Sequence, residues 1–398
     1  MKIAKIWNND YPWDVRVEKI CKALVDDGHV VHLICRNLNR AKTRDEIDGI
    51  QIHRLYPIKN SLLNNISSIV AFLNPVWIHR IYQVVKHEKV DVLLVRDLPL
   101  VISALLVGNR FEIPVVFDMA ENYPSMWKEH VDKRNSKFFN HLLKNSTVAT
   151  LMENYVLKRV DHTIVVVEES KDRLIKKGIS ENKISIVSNT PDLKLFKGKS
   201  DVMDDIFSDR FIMLYVGYLN GGRGLDTAIK AVPILKEKLN EVCLIIAGDG
   251  EYMDELRNLV NKLGIEKHVD FLGWVDSKLI PSYIYNSDVC IVPHDATDFV
   301  NSTIPNKLFD YMACKKPVLV SDAVPLKRIV NETECGMVFR SRDIEDFAEK
   351  VIKLKELSVR TKMGLNGFAA INSKYNWKHD SQTLRDIFRK NIYRLLQN

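Results

Sequence analysis

Residues 303–322, Thr-Ile-Pro-Asn-Lys-Leu-Phe-Asp-Tyr-Met-Ala-Cys-Lys-Lys-Pro-Val-Leu-Val-Ser-Asp, read as a polar loop, a short helix, a basic turn and a buried strand. That layout places an anion site on a helix N-terminus. Free amides around Pro305–Leu308 would point at a phosphate or sugar oxygen, and Lys307 adds a cation in the first turn. Asp310, one turn further on, is a carboxylate that could accept hydrogen bonds from ribose hydroxyls. A nucleotide-sugar offers all three groups. The same letters also fit a helix merely started by Pro305, with Lys307 and Asp310 as a solvated i,i+3 pair and Val318–Val320 as an ordinary core strand.

Outward from this segment, short β-branched runs alternate with amphipathic windows. In the second half these are Phe211–Val216, helix Leu225–Glu237, Cys243–Ala247, helix Tyr252–Leu263, Val269–Leu272, helix Ser277–Tyr285, Val289–Val292, helix Asn306–Ala313, Val318–Val320 and Met337–Phe339. In the first half they are Ile3–Trp7, helix Val15–Asp26, Val30–Cys35, Ile52–Leu55, Val92–Val95, Val115–Asp118, Thr163–Val167 and Ile184–Val187. Gly28-His29 closes the first helix, and Asp97-Leu98-Pro99 turns a strand into the next one. Such alternation predicts parallel sheets with helices on both faces. Between the halves, Thr190–Arg210 is polar, holds Pro191 and Gly198 and carries the mixed-charge run Lys197–Asp205, which reads as an interdomain linker. The expected fold is α/β, two Rossmann-like doubly wound domains facing across a cleft at the carboxyl ends of their strands. Residues 1–192 and 193–377 are the two domains, and a last helix near Asp380–Leu396, within 378–398, crosses back onto the first.

The composition, 46% hydrophobic and 27% charged over 398 residues, is that of an ordered globular protein with room for two cores. A net charge of +7 favours an anionic partner without choosing among phosphate esters, acidic membrane surfaces and nucleic acid. Six scattered cysteines (Cys21, Cys35, Cys243, Cys290, Cys314, Cys335) form no C-x-x-C pair and read as reduced core residues of a cytoplasmic protein. Met1–Trp7 breaks at Asn8-Asn9-Asp10, too short for the apolar part of a signal peptide, so no export is expected. The most apolar stretch, Leu62–Val85, is interrupted by Asn64, Asn65, Asn74, Pro75, His79 and Arg80 and falls short of the roughly 18 apolar residues of a spanning helix.

Three loops follow strands of the second sheet. In Val216–Asp226 the glycines leave backbone free to approach a ligand, and Arg223 could grip a diphosphate with its forked guanidinium; a flexible turn with a surface arginine has the same letters. Ala247-Gly248-Asp249-Gly250-Glu251 supplies amides at a helix start, or simply an N-cap through Asp249 or Gly250. Gly273-Trp274-Val275 could present backbone and an indole edge to a nucleobase, or bury the indole between domains.

Taken in order and spacing, these loops together with Phe271–Trp274, Ser287–Pro293 and Lys307–Asp322 resemble glycosyltransferase family 4, the retaining enzymes of GT-B fold. The resemblance covers nearly the whole chain. It is strongest to the bacterial surface-polysaccharide branch, through Asn9–Val17 and the Asp-x-x-Glu-x-Tyr-Pro segment Asp118–Pro124. It implies a donor-binding second domain with Gly217, Tyr218, Asp249, Gly250, Trp274, Val275, Ser302, Thr303, Ile304, Pro305, Asn306 and Asp310 around the nucleotide-sugar. Arg223, Lys307 and Glu121 are the implied catalytic groups, and Asp14, Arg16, Asp118 and Asn122 lie on the acceptor side of the first domain. The chain departs from the family in places. The family's two glutamates, separated by seven residues, fall on Ser302 and Asp310, so one carboxylate is lost and the other shortened. Its Arg-plus-Lys diphosphate pair falls on Tyr218 and Arg223, and Lys307 is the candidate to supply the missing cation. Its His-Asp pair falls on Ala120-Glu121, and its Gly-Gly loop is replaced by Asn8–Asp14.

Histidines 29, 32 and 53 are placed in the first sheet and 87, 141 and 162 on or beside helices, with no metal-ligating spacing; neither metal nor cofactor is expected, the nucleotide-sugar being a co-substrate. Ser125–Arg159 mixes Trp127, Phe138, Phe139, Leu142 and Leu143 with Lys128, Lys133, Arg134, Lys137 and Lys144, which suits a solvated helix or an interfacial segment on the cytoplasmic membrane surface. The expected function is a metal-independent hexosyl or N-acetylhexosaminyl transfer from a UDP-sugar to a lipid-linked saccharide acceptor. A non-catalytic nucleotide-binding subunit and a nucleotide-sugar 2-epimerase share the fold as alternatives. Nucleic-acid binding rests on net charge alone and is not expected.

Overall fold

The computed structural model describes residues 1–12, 14–67, 72–132, 145–196, 210–239 and 241–397. They form two compact units, Met1–Asn189 with Asp380–Asn398, and Thr190–His379. Structural statements below concern these described residues.

The first unit is built on an eight-stranded sheet: β1 (Lys2–Ile6), β2 (Val30–Cys35), β3 (Arg44–Ile47), β4 (Ile50–Arg54), β5 (Val92–Arg96), β6 (Val115–Met119), β7 (His162–Val165) and β8 (Ile184–Ile186), in the order β3-β4-β2-β1-β5-β6-β7-β8. Ile3, Ala4 and Ile6 of β1 and Leu93, Leu94 and Val95 of β5 are fully buried, as expected of parallel strands covered on both faces. Only β3 is antiparallel. Its sequence, Arg-Asp-Glu-Ile, has no apolar alternation and escapes a pattern search. Charged residues suit an edge strand, and the turn into β4 takes positive φ at Asp48 and Gly49.

Helix Val15–Asp26 starts where Asp14 accepts the Val17 amide at 2.8 Å and buries Val17, Ile20, Cys21 and Leu24 at helical spacing. Near the C-terminus the helix Trp377–Asp386 runs on through a wider π-type turn at Ile387–Ile392 into Tyr393–Leu395. It packs on the first unit: Phe388 is buried beside His29, and Arg389 pairs with Asp27.

The second unit has six parallel strands, β9 (Phe211–Val216), β10 (Val242–Ala247), β11 (Val269–Gly273), β12 (Val289–Val292), β13 (Val318–Ser321) and β14 (Gly336–Phe339), in the order β11-β10-β9-β12-β13-β14. The order reverses between β9 and β12, the switch point at which such sheets bind ligands. Helices Val324–Thr333, Ile344–Lys353 and Leu357–Ser373 add to those read from the sequence. The helix after β11 begins at Ile280 instead of Ser277, because Asp276 turns the chain by accepting the Lys278 amide at 2.9 Å.

Several expectations need adjusting. His162 opens β7 and is buried, so it belongs to the sheet. Trp127 is core, 5.6 Å from Tyr123 and 6.0 Å from Phe72 between ring centres, so it is not an interfacial anchor. Lys133, Arg134, Lys137, Phe138, Phe139, Leu142, Leu143, Lys144 and His141 lie outside the described residues, as does the linker run Lys197–Asp205. All six cysteines are buried and none is disulfide-bonded. No described helix is long and apolar enough to cross a membrane.

A buried ionic network ties β1, helix Val15–Asp26 and β6 together. Asp118, fully buried, accepts from Lys5 Nζ at 2.5 Å and from Arg16 Nη2 at 2.6 Å, while Arg16 Nη1 donates to the Val187 carbonyl at 2.9 Å. Burial by itself raises the Asp118 carboxyl, yet Arg16 and Lys5 outweigh it and hold it well below the usual carboxylate range. Burial pushes Lys5 down while Asp118 pulls it up, and with a carboxylate this close the charged pair is the state that the geometry supports. Replacing Asp118 by Asn or Ala strands two buried cations and is expected to cost about 3–5 kcal/mol in urea unfolding. The contribution is complete above the unfolded carboxylate value and fades as pH falls towards the folded one, so the deficit of Asp118→Asn should narrow in acid. An unchanged midpoint at neutral pH would contradict the network's role.

Candidate active site

β9 is followed by Gly217, where φ is +135° and the missing side chain leaves a space that Lys307 fills; a Cβ there would stand 2.7 Å from Lys307 Nζ. Lys307 opens the helix Lys307–Ala313, whose Leu308, Phe309, Tyr311 and Met312 are buried. That helix is pinned to β9 because the Tyr311 hydroxyl accepts the Val216 amide at 2.9 Å. Past its end, Lys315 takes φ +58° and Pro317 follows, which stops the helix and feeds β13. The Lys307 ammonium lies 3.7 Å from the centre of the Tyr215 ring, and among the described residues it makes no hydrogen bond and no ion pair.

Arg223 reaches the same place from the loop after β9. The next residue, Gly224, has φ +65° and lies so close to the end of β12 that a Cβ would meet the Pro293 carbonyl oxygen at 1.9 Å. Arg223 Nη1 donates to Nδ1 of His294 at 3.4 Å. His294 is buried, and both its Nε2 and Arg223 Nε lack partners among the described residues. Burial pushes Lys307 and His294 well below their ordinary values, and Arg223 pushes both the same way. Asp310 pulls Lys307 back up without pairing with it, and Asp295 is taken by Arg342 at 2.8 Å. Three basic side chains therefore meet with no carboxylate neutralising them. Gathering like charges in this way is costly by itself, and an anion would relieve it.

The other expected donor residues are arranged around this cluster to differing degrees. Asp249 Oδ1 accepts the Gly250 amide at 2.7 Å, and the Leu219 amide donates to the Asp249 carbonyl at 3.0 Å, so the loops after β9 and β10 are tied by backbone. The Gly248 amide donates to the Gly273 carbonyl at 2.7 Å, which joins the end of β11 to them. Trp274 is 76% exposed, and Val275 is half-buried beside it. The Tyr218 side chain is 56% exposed, and its carbonyl receives the Tyr215 hydroxyl at 3.2 Å. The Ser302 hydroxyl is engaged locally, donating to the Phe299 carbonyl at 2.8 Å within a short turn. Thr303, Ile304, Pro305 and Asn306 form the connection into the helix, with Ile304 buried and Asn306 exposed, and Asp310 follows one turn along.

In the first unit, Asp118 and Arg16 were expected to face an acceptor; the structure places both inside the fold, bound to each other and to Lys5. Asp14 caps its helix and pairs with Arg96, which also lies 4.5 Å over the Trp7 ring. Asn122 is buried and turns the chain into the helix Tyr123–Asp132. Glu121 is half-buried, and its charge helps to raise the neighbouring Tyr123 phenol behind the larger effects of burial and Asp97.

Two residues were missed. His294 lies one position beyond the Ser287–Pro293 motif, and nothing in its spacing marks it. Asp97 was read as a turn residue after β5, but its backbone sits at φ 65°, ψ 155°, a region nearly reserved for glycine. Although placed to cap the short turn Leu98–Leu100, its side chain does not do so. The carboxyl is 4% exposed, Oδ1 has no partner among the described residues, and Oδ2 lies 3.5 Å from Arg96 Nε. Burial pushes it up to about 6, with Asp118 acting the same way and Arg96 against.

Comparison with known proteins bears on the family and the fold. Residues 14–195 match the family model described as Glycosyltransferase Family 4, and residues 197–369 the model described as Glycosyl transferases group 1. An uncharacterized glycosyltransferase of Methanocaldococcus jannaschii is 22% identical over 264 residues, 65% of each chain. The matches span about half to two thirds of the length of such curated relatives. Among solved structures, sucrose-phosphate synthase from Thermosynechococcus elongatus superposes with a TM-score of 0.79 at 17% identity, covering 98% of both chains. Anabaena HepE in complex with UDP-glucose does so with a TM-score of 0.71 at 17% identity, over 98% of this chain and 99% of that one. The fold is GT-B.

The strain and the orphaned oxygen make Asp97 a residue that stability alone would not retain. Because its carboxyl is raised, the folded state binds a proton more readily than the unfolded one, and stability rises as pH falls from about 6 towards the unfolded carboxylate value. Asp97→Asn is therefore expected to raise urea stability by about 1–3 kcal/mol at about pH 7.5, with the gain shrinking towards about pH 4.5, where the wild-type carboxyl is itself protonated. A loss of stability at the higher pH would contradict this description of the site.

Proposed function

We propose, from the premise that this chain belongs to the glycosyltransferases of GT-B fold, that it moves a sugar from a nucleoside diphosphate sugar to a hydroxyl of a lipid-linked saccharide, with retention at the anomeric carbon. The observation that carries the reading is the meeting of Arg223, Lys307 and neutral His294 with no counter-charge. A diphosphate is the part of such a donor that supplies two negative charges, and negative charge grows on it as the sugar–phosphate bond breaks. Donors already in place stabilise that growth without reorganising. With two side-chain cations at the leaving group, the reaction needs no metal ion to hold it.

In this reading the Gly217–Tyr218 backbone and the Thr303–Asn306 connection border the diphosphate and sugar, and Asp310 receives the ribose hydroxyls. Trp274 and Val275 stand by the base. The leaving phosphate takes the acceptor proton, so no carboxylate nucleophile is required. Glu121, Asp14 and Asn122 remain the acceptor-side candidates, whereas Asp118 and Arg16 hold the first unit together. Uridine is carried over from the UDP-glucose held by the Anabaena protein, and a hexosyl or N-acetylhexosaminyl group goes with it. Work on a lipid-linked acceptor, in O-antigen, capsule or exopolysaccharide assembly, would bring the chain to the inner face of the cell membrane; the net charge of +7 supports that placement.

A melting-temperature screen against UDP, GDP and ADP and their sugars tests the donor class, since a ligand bound by the folded state alone raises the midpoint. With the donor found, transfer in EDTA is expected to persist, and Arg223→Ala and Lys307→Ala are each expected to slow it by roughly 10²–10³. Arg223→Lys should recover part of the rate, the bidentate fork being lost. No midpoint shift with any donor, or near-wild-type rates in both alanine variants, would overturn the reading.

A further inference from the structure

We infer that His294 is the positioning residue of Arg223, a neutral imidazole that holds the guanidinium through Nδ1; the inference rests on the donor reading above. Arg223 stands in the segment Asn220-Gly221-Gly222-Arg223-Gly224, whose glycines give the chain little stiffness of its own. Rigidity comes instead from three consecutive residues after β12. The Pro293 carbonyl packs against Gly224, the Asp295 amide donates to the Gly222 carbonyl at 3.1 Å, and His294 Nδ1 takes the Arg223 side chain at 3.4 Å. Backbone contacts on either side fix the loop, and the imidazole aims the guanidinium.

The chemistry of this contact determines the protonation state. A guanidinium has donors and no acceptor, so Nδ1 must carry its lone pair towards Arg223 and the ring proton must sit on Nε2. Protonating Nδ1 would set two donors against each other. The charged groups around the ring favour the neutral form as well. Arg223 comes from the β9 loop and Lys307 from the helix Lys307–Ala313, while Asp295 is occupied by Arg342 and Asp310, three residues along the helix, acts on Lys307 without pairing with it. The Nε2–H that remains is buried without a partner among the described residues, inside the cluster that the donor's anion would complete.

Calorimetric binding of UDP-glucose, whose diester phosphates stay ionised throughout the working range, separates positioning from mere packing. His294→Phe keeps the volume and removes the acceptor, and is expected to weaken binding about tenfold; His294→Asn puts Oδ1 near the place of Nδ1 and should stay within about threefold of wild type. In an Arg223→Ala background His294→Phe should change affinity no further. Equal affinity of His294→Phe and wild type, or an undiminished loss in the Arg223→Ala background, would overturn the inference. NMR of the imidazole nitrogens judges it without nucleotide and without a variant that must fold: a bare Nδ1 and a protonated Nε2 are expected from about pH 8 to about pH 6. A protonated Nδ1 in that range would overturn it. If no nucleotide-sugar binds the wild type, the donor reading fails, and the tautomer still decides the place of His294 against Arg223.

Discussion

Positive charge left without a counter-charge is the constraint on which the second unit depends. Lys307 is partly covered, lies against the face of Tyr215 and stands beside Arg223, and no described carboxylate pairs with it. An aromatic face attracts an ammonium, but by about 0.5–2 kcal/mol, far less than full hydration returns. The arrangement survives because its surroundings leave it no alternative. Gly217 supplies the space, Tyr311 locks the helix to β9, and Gly224 lets two chain segments approach to backbone contact. Each feature looks like a local detail, yet together they hold two cations where a diphosphate would rest at the switch point of the sheet.

The first unit handles charge in the opposite way. Asp118 is surrounded by two cations and a filled set of hydrogen bonds, and its removal would strand both partners. Such a network holds β1, β6 and the first helix in register. Asp97, at the end of the neighbouring strand and donating its amide to the Asp118 carbonyl at 3.1 Å, is the exception: strained, buried and short of a partner for one oxygen. Satisfied charge marks what holds the fold together, and unsatisfied charge marks what was selected for something else.

The architecture was legible because buried parallel strands carry an unmistakable signature. Runs such as Phe211–Val216 and Cys243–Ala247 are apolar on both faces, and each is followed by a glycine turn and a helix. Strand β3 was not legible, since charged edge residues bury nothing and leave no pattern. Lys307 and Arg223 could be named from motif order, but their lack of counter-charge could not, because it depends on Asp295 being taken by Arg342 and on Asp310 not pairing with Lys307. Asp118 and Arg16 misled for a related reason: motif residues at the end of a strand can serve the scaffold as easily as the ligand, and only burial separates the two. His294 and Asp97 gave no sequence signal at all. One is defined by a contact 71 residues away in the chain, the other by a backbone angle.

Proton linkage tests the central claim most directly. Burial and Arg223 hold Lys307 below its ordinary value in the empty protein, and an entering diphosphate would restore it, so binding should draw a proton from solution. UDP-glucose titrated calorimetrically over a pH series from about 7 to about 10, in two buffers of contrasting ionisation heat at each pH, is expected to show net proton uptake within that series, and Lys307→Ala should abolish it. Binding with the same heat in both buffers at every pH, or an uptake undiminished in Lys307→Ala, would contradict an uncompensated lysine as the heart of the site.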